Sequence, residues 1–179
     1  MEQLREALKA ETERIFEDGL YSSKSHYNAA DRWSYINLWL GIPATILAAA
    51  SGVLTFVSTS CPQGSQCVTV PIWLPGAMAL FTSALTALIT FLNPSDRKTQ
   101  HRNAAGQYNA LRNQSRLFKE IQLTQFSAET AEKLKDTLTS LANKRDELNQ
   151  NSPIFANCDF KKARKGIEQG EAKYKVDEV

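Results

Sequence analysis

The sequence predicts an all-α membrane protein: a two-transmembrane helical hairpin with a cytoplasmic N-terminal helix and a C-terminal helical region. The first observation is that the 63 residues 33–95 include no Asp, Glu, Lys, Arg or His. The second is that this stretch holds two apolar segments, 36–57 and 70–92. Each exceeds the roughly 20 helical residues that cross a hydrocarbon core of about 30 Å. A soluble helix of this length would normally carry a charged, solvent-facing edge, so the stretch indicates two membrane spans.

The chain is predicted to have three parts. Residues 1–32 are a cytoplasmic N-terminal amphipathic helix, residues 33–95 are the transmembrane hairpin, and residues 96–179 are a cytoplasmic helical region. The connecting loop, 58–69, has no Lys or Arg, whereas basic residues flank the outer ends of the hairpin: Lys24, Arg32, Arg97, Lys98 and Arg102. Because cytoplasmic flanks carry an excess of Lys and Arg, we expect a multi-pass protein of the plasma membrane with both termini in the cytoplasm.

Two cysteines lie in the predicted extracytoplasmic loop. Cys61 and Cys67 bracket a Pro-Gln-Gly-Ser-Gln turn on the oxidising side of the membrane, where they either form a disulfide or remain free thiols. Cys158 is predicted to be cytoplasmic and unpaired. Two cysteines without a nearby histidine make a poor metal site, so we expect neither a metal nor another cofactor.

Helical periodicity extends into both predicted cytoplasmic parts. Residues 2–19 are predicted to form an amphipathic helix, because Leu4, Leu8, Glu11 and Ile15 follow helical spacing. The sequence Asn93-Pro94-Ser95 is typical of the end of one helix and the start of the next. The next helix is predicted from Asp96 to about Gln125, with one stripe formed by Ala105, Tyr108, Leu111, Ser115, Phe118 and Gln122.

A further helix is predicted from an N-cap at Ser127 to about Asn149, with Pro153 beyond its end. Steps of three and four residues connect Ala131, Leu134, Leu138, Leu141, Arg145 and Leu148. This spacing is typical of a coiled coil between chains, or of a helix pair within one chain. The sequence ends in a short basic segment. Its cluster Lys161, Lys162, Arg164 and Lys165 is either a solvated face or a contact for lipid headgroups or an acidic partner.

Motifs for enzyme chemistry are missing from the sequence. It contains no glycine-rich phosphate loop, no HExxH motif and no nucleophile elbow, and only two histidines, His26 and His101. We therefore expect no enzymatic activity. A net charge of +2, with no basic run interleaved with aromatic residues, also argues against a nucleic-acid partner.

Weakly polar stripes follow both predicted spans. Hydroxyl residues recur on the second span, and the first span has a narrow side of small and hydroxyl residues; the stripes comprise Thr82, Ser83, Thr86, Thr90, Thr45, Gly52 and Thr55. Such residues allow helices to pack closely. Alternatively, several copies assemble and these residues line a water-filled pore, in which hydroxyl groups replace part of an ion's hydration shell.

The sequence resembles a known family. LGIPATILAAASG in the first span, FLNPSDRKTQHRNAAGQYNALRNQSR after the second, and the tail RDELNQNSPIFANCDFKKARKGIEQGEAKYKVD are similar to the SMODS and SLOG-associating two-transmembrane effector family, SLATT. The resemblance extends from about Tyr27 to Asp177 and is most specific over Asn93–Arg112. It implies a bacterial antiviral effector that perforates the inner membrane when a nucleotide second-messenger synthetase or sensor is triggered.

Two functions follow from these observations. The first is a gated, homo-oligomeric, membrane-perforating effector in the lipid bilayer, controlled through its cytoplasmic helices by a separately encoded nucleotide synthetase or sensor. Residues just inside the membrane are the candidates for coupling the signal to the spans: Arg97, His101, Arg102 and Arg112. The alternative is a membrane-anchored scaffolding protein that recruits a partner without forming a pore.

Overall fold

The computed structural model describes residues 2–59, 71 and 73–174, with only the backbone at residues 58 and 59. Its α-helices are α1 (Glu2–Thr59), α2 (Trp73–Leu92), α3 (Pro94–Leu117), α4 (Ala131–Asn151) and α5 (Asn157–Glu168). A π-helical turn (Phe118–Gln122) and a 3-10 turn (Leu123–Gln125) follow α3. The prediction of an all-α protein with two helices long and apolar enough to span a membrane is confirmed.

The chain divides into two compact units. Unit 1 consists of residues 1–31 and 98–179, and unit 2 consists of residues 32–97. The predicted hairpin, 33–95, lies within unit 2. The segments before and after it, which are far apart in the sequence, together form unit 1. The cytoplasmic position of both termini remains a prediction.

The core of unit 1 is built by the predicted apolar stripes. Five residues of the stripe on the helix after the second span are buried: Ala105, Tyr108, Leu111, Ser115 and Phe118. The sixth, Gln122, is exposed, because the π-helical turn Phe118–Gln122 changes the residue spacing there. Four leucines of α4 join this core together with two residues of α1: Leu134, Leu138, Leu141, Leu148, Leu8 and Ile15. The α4 leucines therefore pack against other helices of the same chain. Of the two interpretations of their spacing, this is the helix pair within one chain and not the coiled coil between chains.

Ion pairs tie α1 to the rest of unit 1 at the edge of this core. The Arg145 guanidinium of α4 lies 3.4 Å from a carboxylate oxygen of Glu11 and 3.7 Å from one of Asp18. Lys119 Nζ lies 2.6 Å from Glu13 Oε2. Because these groups are partly exposed, their attraction is reduced by solvent, and apolar burial provides most of the stability of the unit.

Unit 2 contains the two predicted spans. Pro75, in the first turn of α2, accepts a hydrogen bond at its carbonyl oxygen from Ser51 Oγ of α1, at 3.1 Å. Proline is tolerated there because the first-turn N–H groups have no partner within the helix. Pro43 lies inside α1.

Two helix limits differ from the prediction. The helix expected over residues 2–19 does not end there but continues in α1. Gly19 is buried inside this helix and is not a C-cap. The N-cap of α4 is Thr130 and not Ser127. Ser127 instead exchanges hydrogen bonds with Thr130, whose Oγ1 accepts from the Ser127 N–H at 2.8 Å.

Candidate functional site

The hydroxyl side chains of α2 lie on one side of the helix. At about 100° per residue, Thr82, Ser83, Thr86 and Thr90 fall within an arc of about 100°, which we call the hydroxyl arc. Each hydroxyl donates to the backbone carbonyl oxygen four residues earlier, at 2.9 Å. Three of the four are exposed and Thr82 is half-buried. Since the hydrogen is used within the helix, the lone pairs of each oxygen face outward as acceptors.

The corresponding residues of α1 are also exposed. Thr45 Oγ1 donates to the Gly41 carbonyl oxygen and Thr55 Oγ1 to that of Ser51, both at 2.8 Å. A Cβ atom added at Gly52 would meet no described atom within 4 Å. Close packing inside the chain therefore does not require glycine at this position. With Thr45 and Thr55, Gly52 occupies an arc of about 80° on α1.

A single chain leaves both spans largely uncovered. The described structure gives α2 no buried residue. Large apolar side chains are exposed to 75% at Leu80 and 85% at Phe91 on α2, and to 76% at Trp39 and 72% at Phe56 on α1. So much apolar surface is favourable only against lipid or other protein. The spans therefore need a surface supplied from outside this chain.

The end of α2 and the start of α3 follow the sequence signal. Asn93 has a φ of 43°, the left-handed region in which Asn is one of the few tolerated residues. Its N–H donates to the Ile89 carbonyl oxygen at 2.9 Å. Pro94 is the first residue of α3 and is buried. The predicted break between the second span and the next helix is confirmed.

Of the four candidate coupling residues, Arg97 belongs to unit 2. Its guanidinium lies over the Trp33 ring, 4.9 Å from the centroid, and that of Arg32 lies 5.3 Å from the same ring. Trp33 thus lies against two cations. Such aromatic and basic clusters are typical of the membrane–water interface.

The other three candidates belong to unit 1 and are not brought together. His101 is buried, Arg102 is exposed, and Arg112 is half-buried. The Arg112 guanidinium lies over the Phe16 ring at 5.2 Å and donates from Nη2 to the Ala172 carbonyl oxygen at 3.3 Å. Their roles in coupling remain predictions.

His101 forms a buried pair with His26. The two Nδ1 atoms are 3.0 Å apart, so one ring must donate a proton and the other accept it. His26 also stacks on Tyr108, with ring centroids 5.4 Å apart, and meets the edge of Phe155 at 5.0 Å. Burial first, and the charge of His101 second, lower the pKa of His26 from 6.5 to about 4. The pair is therefore held with His26 neutral at pH 7.

The sequence identified His101 as a candidate site residue but did not identify its partner His26, 75 residues earlier. A signal was nevertheless present. His26 follows Ile15 by eleven residues, about three helical turns, and thus continues the buried face of Leu8 and Ile15. Because the helix was predicted to end at residue 19, His26 was not assigned to this buried face.

The described residues contain no cluster of three or more His, Cys, Asp or Glu side chains arranged to hold a metal. Cys158 is exposed as a free thiol. Cys61 and Cys67, the candidate disulfide, lie outside the described residues.

The apolar length of the two spans and the all-helical structure of the described residues define a two-span helical membrane protein. The family model for the SMODS and SLOG-associating 2TM effector domain family 4 matches residues 4–178, and the chain belongs to this family. The resemblance seen in the sequence is confirmed. Comparison with curated proteins gives no match, and neither does comparison with solved structures.

Proposed function

We propose that this chain is a membrane-perforating effector of a bacterial nucleotide-signal-dependent antiviral system, and that it acts as a homo-oligomer. The observation that carries the proposal is the uncovered state of α2. Among the described residues, the exposed hydroxyl groups of the arc bond only to the backbone of their own helix. Further copies of the chain would cover the apolar surface beside the arc and enclose the hydroxyl groups around a path for water and ions.

The chemistry of the arc suits weakly selective conduction. Each hydroxyl hydrogen is bonded to its own helix, so the helix remains satisfied in an apolar environment. The oxygen lone pairs can replace part of the hydration shell of a cation or bind water. No charged residue occurs between Arg32 and Asp96. A pore formed by these spans would therefore lack a charged selectivity ring.

Gating belongs, in this proposal, to unit 1. The family is described as associating with SMODS and SLOG domains, which supports a separately encoded, nucleotide-related partner. A trigger opens the pore only if it binds the open state more tightly than the closed state. If the chain spans the inner membrane with both termini in the cytoplasm, unit 1 faces the compartment in which such a signal is made.

The test places the same large apolar side chain at two exposed positions of α2. Thr86→Leu places a leucine on the hydroxyl arc, and Ala84→Leu places one at another exposed position, about 160° around the helix. Each form is expressed together with the separately encoded trigger system in bacteria challenged with phage. Membrane potential is followed with a voltage-sensitive dye, and assembly is followed by crosslinking in the membrane.

We expect wild type and Ala84→Leu to depolarise the membrane and Thr86→Leu to assemble normally without depolarising it. If neither wild type nor Ala84→Leu, both inserted and challenged, changes the potential, perforation is refuted and the scaffolding function takes its place. If Thr86→Leu and wild type depolarise equally, the hydroxyl arc is a packing face and the path for ions lies elsewhere.

A further inference from the structure

A cavity of about 290 Å³ in unit 1 is rich in cations. Its lining combines residues of α1, α3, the π-helical turn, α5 and the segment after α5. Four of them are cationic and one is a carboxylate: Arg112, Arg116, Lys119, Lys173 and Glu120. Lys119 is paired with Glu13. The other three cations form no ion pair with a carboxylate in the described part of the chain.

The two arginines have unmet hydrogen-bonding capacity. The Nε atoms of Arg112 and Arg116 are buried, and neither finds an acceptor among the described residues. Buried donors without a partner are rare in folded proteins, because each loses its bonds to water and gains none in return. Their occurrence one helical turn apart, in the wall of one cavity, points to an acceptor that is not part of the described chain.

Aromatic rings orient these guanidinium groups but accept no hydrogen bond from their Nε–H groups. The Tyr174 ring lies under both, 5.5 Å from Arg112 and 4.9 Å from Arg116, and Phe16 supports Arg112 from α1. A ring face attracts the charge of a guanidinium, but it offers no lone pair to an N–H in the guanidinium plane. The stacking therefore fixes two planar donors. Arg112 Nη2 already donates to the Ala172 carbonyl oxygen at 3.3 Å, and the other N–H groups are left for a ligand.

We propose that this cavity binds a small, soluble, phosphate-bearing molecule between Arg112 and Arg116, with Lys173 contributing its charge. Phosphoryl oxygens match the planar fork of arginine and accept several charge-assisted hydrogen bonds at once. The cavity volume lies at the lower end of the range for small-molecule sites. This proposal can be tested separately from perforation, because ligand binding to the cavity is measured without ion flux.

The experiment titrates the full chain in neutral detergent with inorganic pyrophosphate, followed by isothermal titration calorimetry. We expect saturable binding of one pyrophosphate per chain. Arg116→Gln and Lys173→Gln should each weaken binding by about tenfold, since each removes a charge-assisted interaction. Glu120→Gln removes the one carboxylate of the lining and should strengthen binding. Lys133→Gln, a loss of the same charge on the exposed surface of α4, is the matched control and should leave the affinity unchanged.

Three results of the titration in detergent would overturn the proposal. The first is an absence of saturable binding by the folded chain. The second is equal weakening by Lys173→Gln and Lys133→Gln, which indicates general charge attraction. The third is binding that appears only when Asp177→Asn and Glu178→Gln are combined, which assigns the cations to the chain's own carboxylates.

A lipid phosphate is separated from a soluble one by repeating the titration in nanodiscs. Unchanged pyrophosphate affinity in phosphatidylcholine alone and in phosphatidylcholine with phosphatidylglycerol supports a soluble ligand. Loss of affinity on adding phosphatidylglycerol assigns the site to a lipid headgroup and overturns the soluble ligand.

Discussion

The buried pair of His26 and His101 predicts that unit 1 loses stability as the pH falls. The pKa of His26 is about 4 in the folded protein, below its ordinary value of 6.5. Unfolding therefore takes up a proton between these two values. Because the folded-state pKa is the lower one, the stabilisation is complete above pH 6.5 and is lost progressively as the pH falls towards 4.

The magnitude follows from the two pKa values. Relative to pH 8, linkage gives a loss of about 2 kcal/mol at pH 5 and about 3 kcal/mol at pH 4. The full effect applies because His26 is only 1% exposed, so little solvent screens the ring. Replacing His101 by Asn removes the smaller of the two causes of the shift. In His101→Asn we therefore expect the His26 pKa to rise but to remain below 6.5, because desolvation persists.

The chain has two histidines, so labelling histidine with ¹³C at Cε1 alone gives only two ring resonances to assign. In detergent micelles, the resonance missing from a His26→Gln variant should titrate in wild type with a pKa near 4. Thermal unfolding of wild type should shift to lower temperature between pH 7 and pH 5, and more than that of His26→Gln. Titration of His26 near 6.5, or equal shifts in both proteins, would refute the reasoning.

Three further predictions concern the helices, each measured by thermal or chemical unfolding in detergent. Gly19→Ala should lower the free energy of unfolding by about 1–2 kcal/mol, because the added Cβ would lie 3.1 Å from a backbone oxygen of α3. The cost of this overpacking exceeds the gain in helix propensity from alanine. Gly106→Ala, in open space on α3, should instead stabilise by up to about 1 kcal/mol; equal effects at both glycines would exclude the close approach. Asn93→Gly should leave the free energy of unfolding nearly unchanged, whereas Asn93→Val should lower it by about 1–2 kcal/mol, because a β-branched residue is strained at positive φ. Equal stability of the two variants would argue against this backbone conformation. Phe118→Ala should cost about 3–5 kcal/mol because the ring is 1% exposed, and a cost below 1 kcal/mol would place it outside the core.

Local rules are sufficient for some features of this protein. Residues 33–95 identify the spans without a structure, because a bilayer core cannot hydrate charge and a long segment without any is stable there. The pair Asn93-Pro94 fixes a helix break through the left-handed tolerance of Asn and the missing N–H of Pro. The stripe from Ala105 to Phe118 is buried as its helical period predicts.

Other features depend on segments that are distant in the sequence. Helical spacing places Leu134 and Leu141 on one face, but only the tertiary structure shows that the face packs against α1 and α3 of the same chain. The helix predicted to end at residue 19 continues in α1, and only the tertiary structure shows that the backbone of α3 approaches Gly19 closely.

By itself, the sequence determined the class of this protein, its two spans and the family to which it belongs, since each depends on composition and order along the chain. Only the tertiary structure decided that His26 meets His101 and that Arg112, Arg116 and Tyr174 meet around one cavity. The physical reason is that burial and pairing depend on neighbours supplied by other helices, and periodicity within one segment gives the direction of a side chain but not its partner.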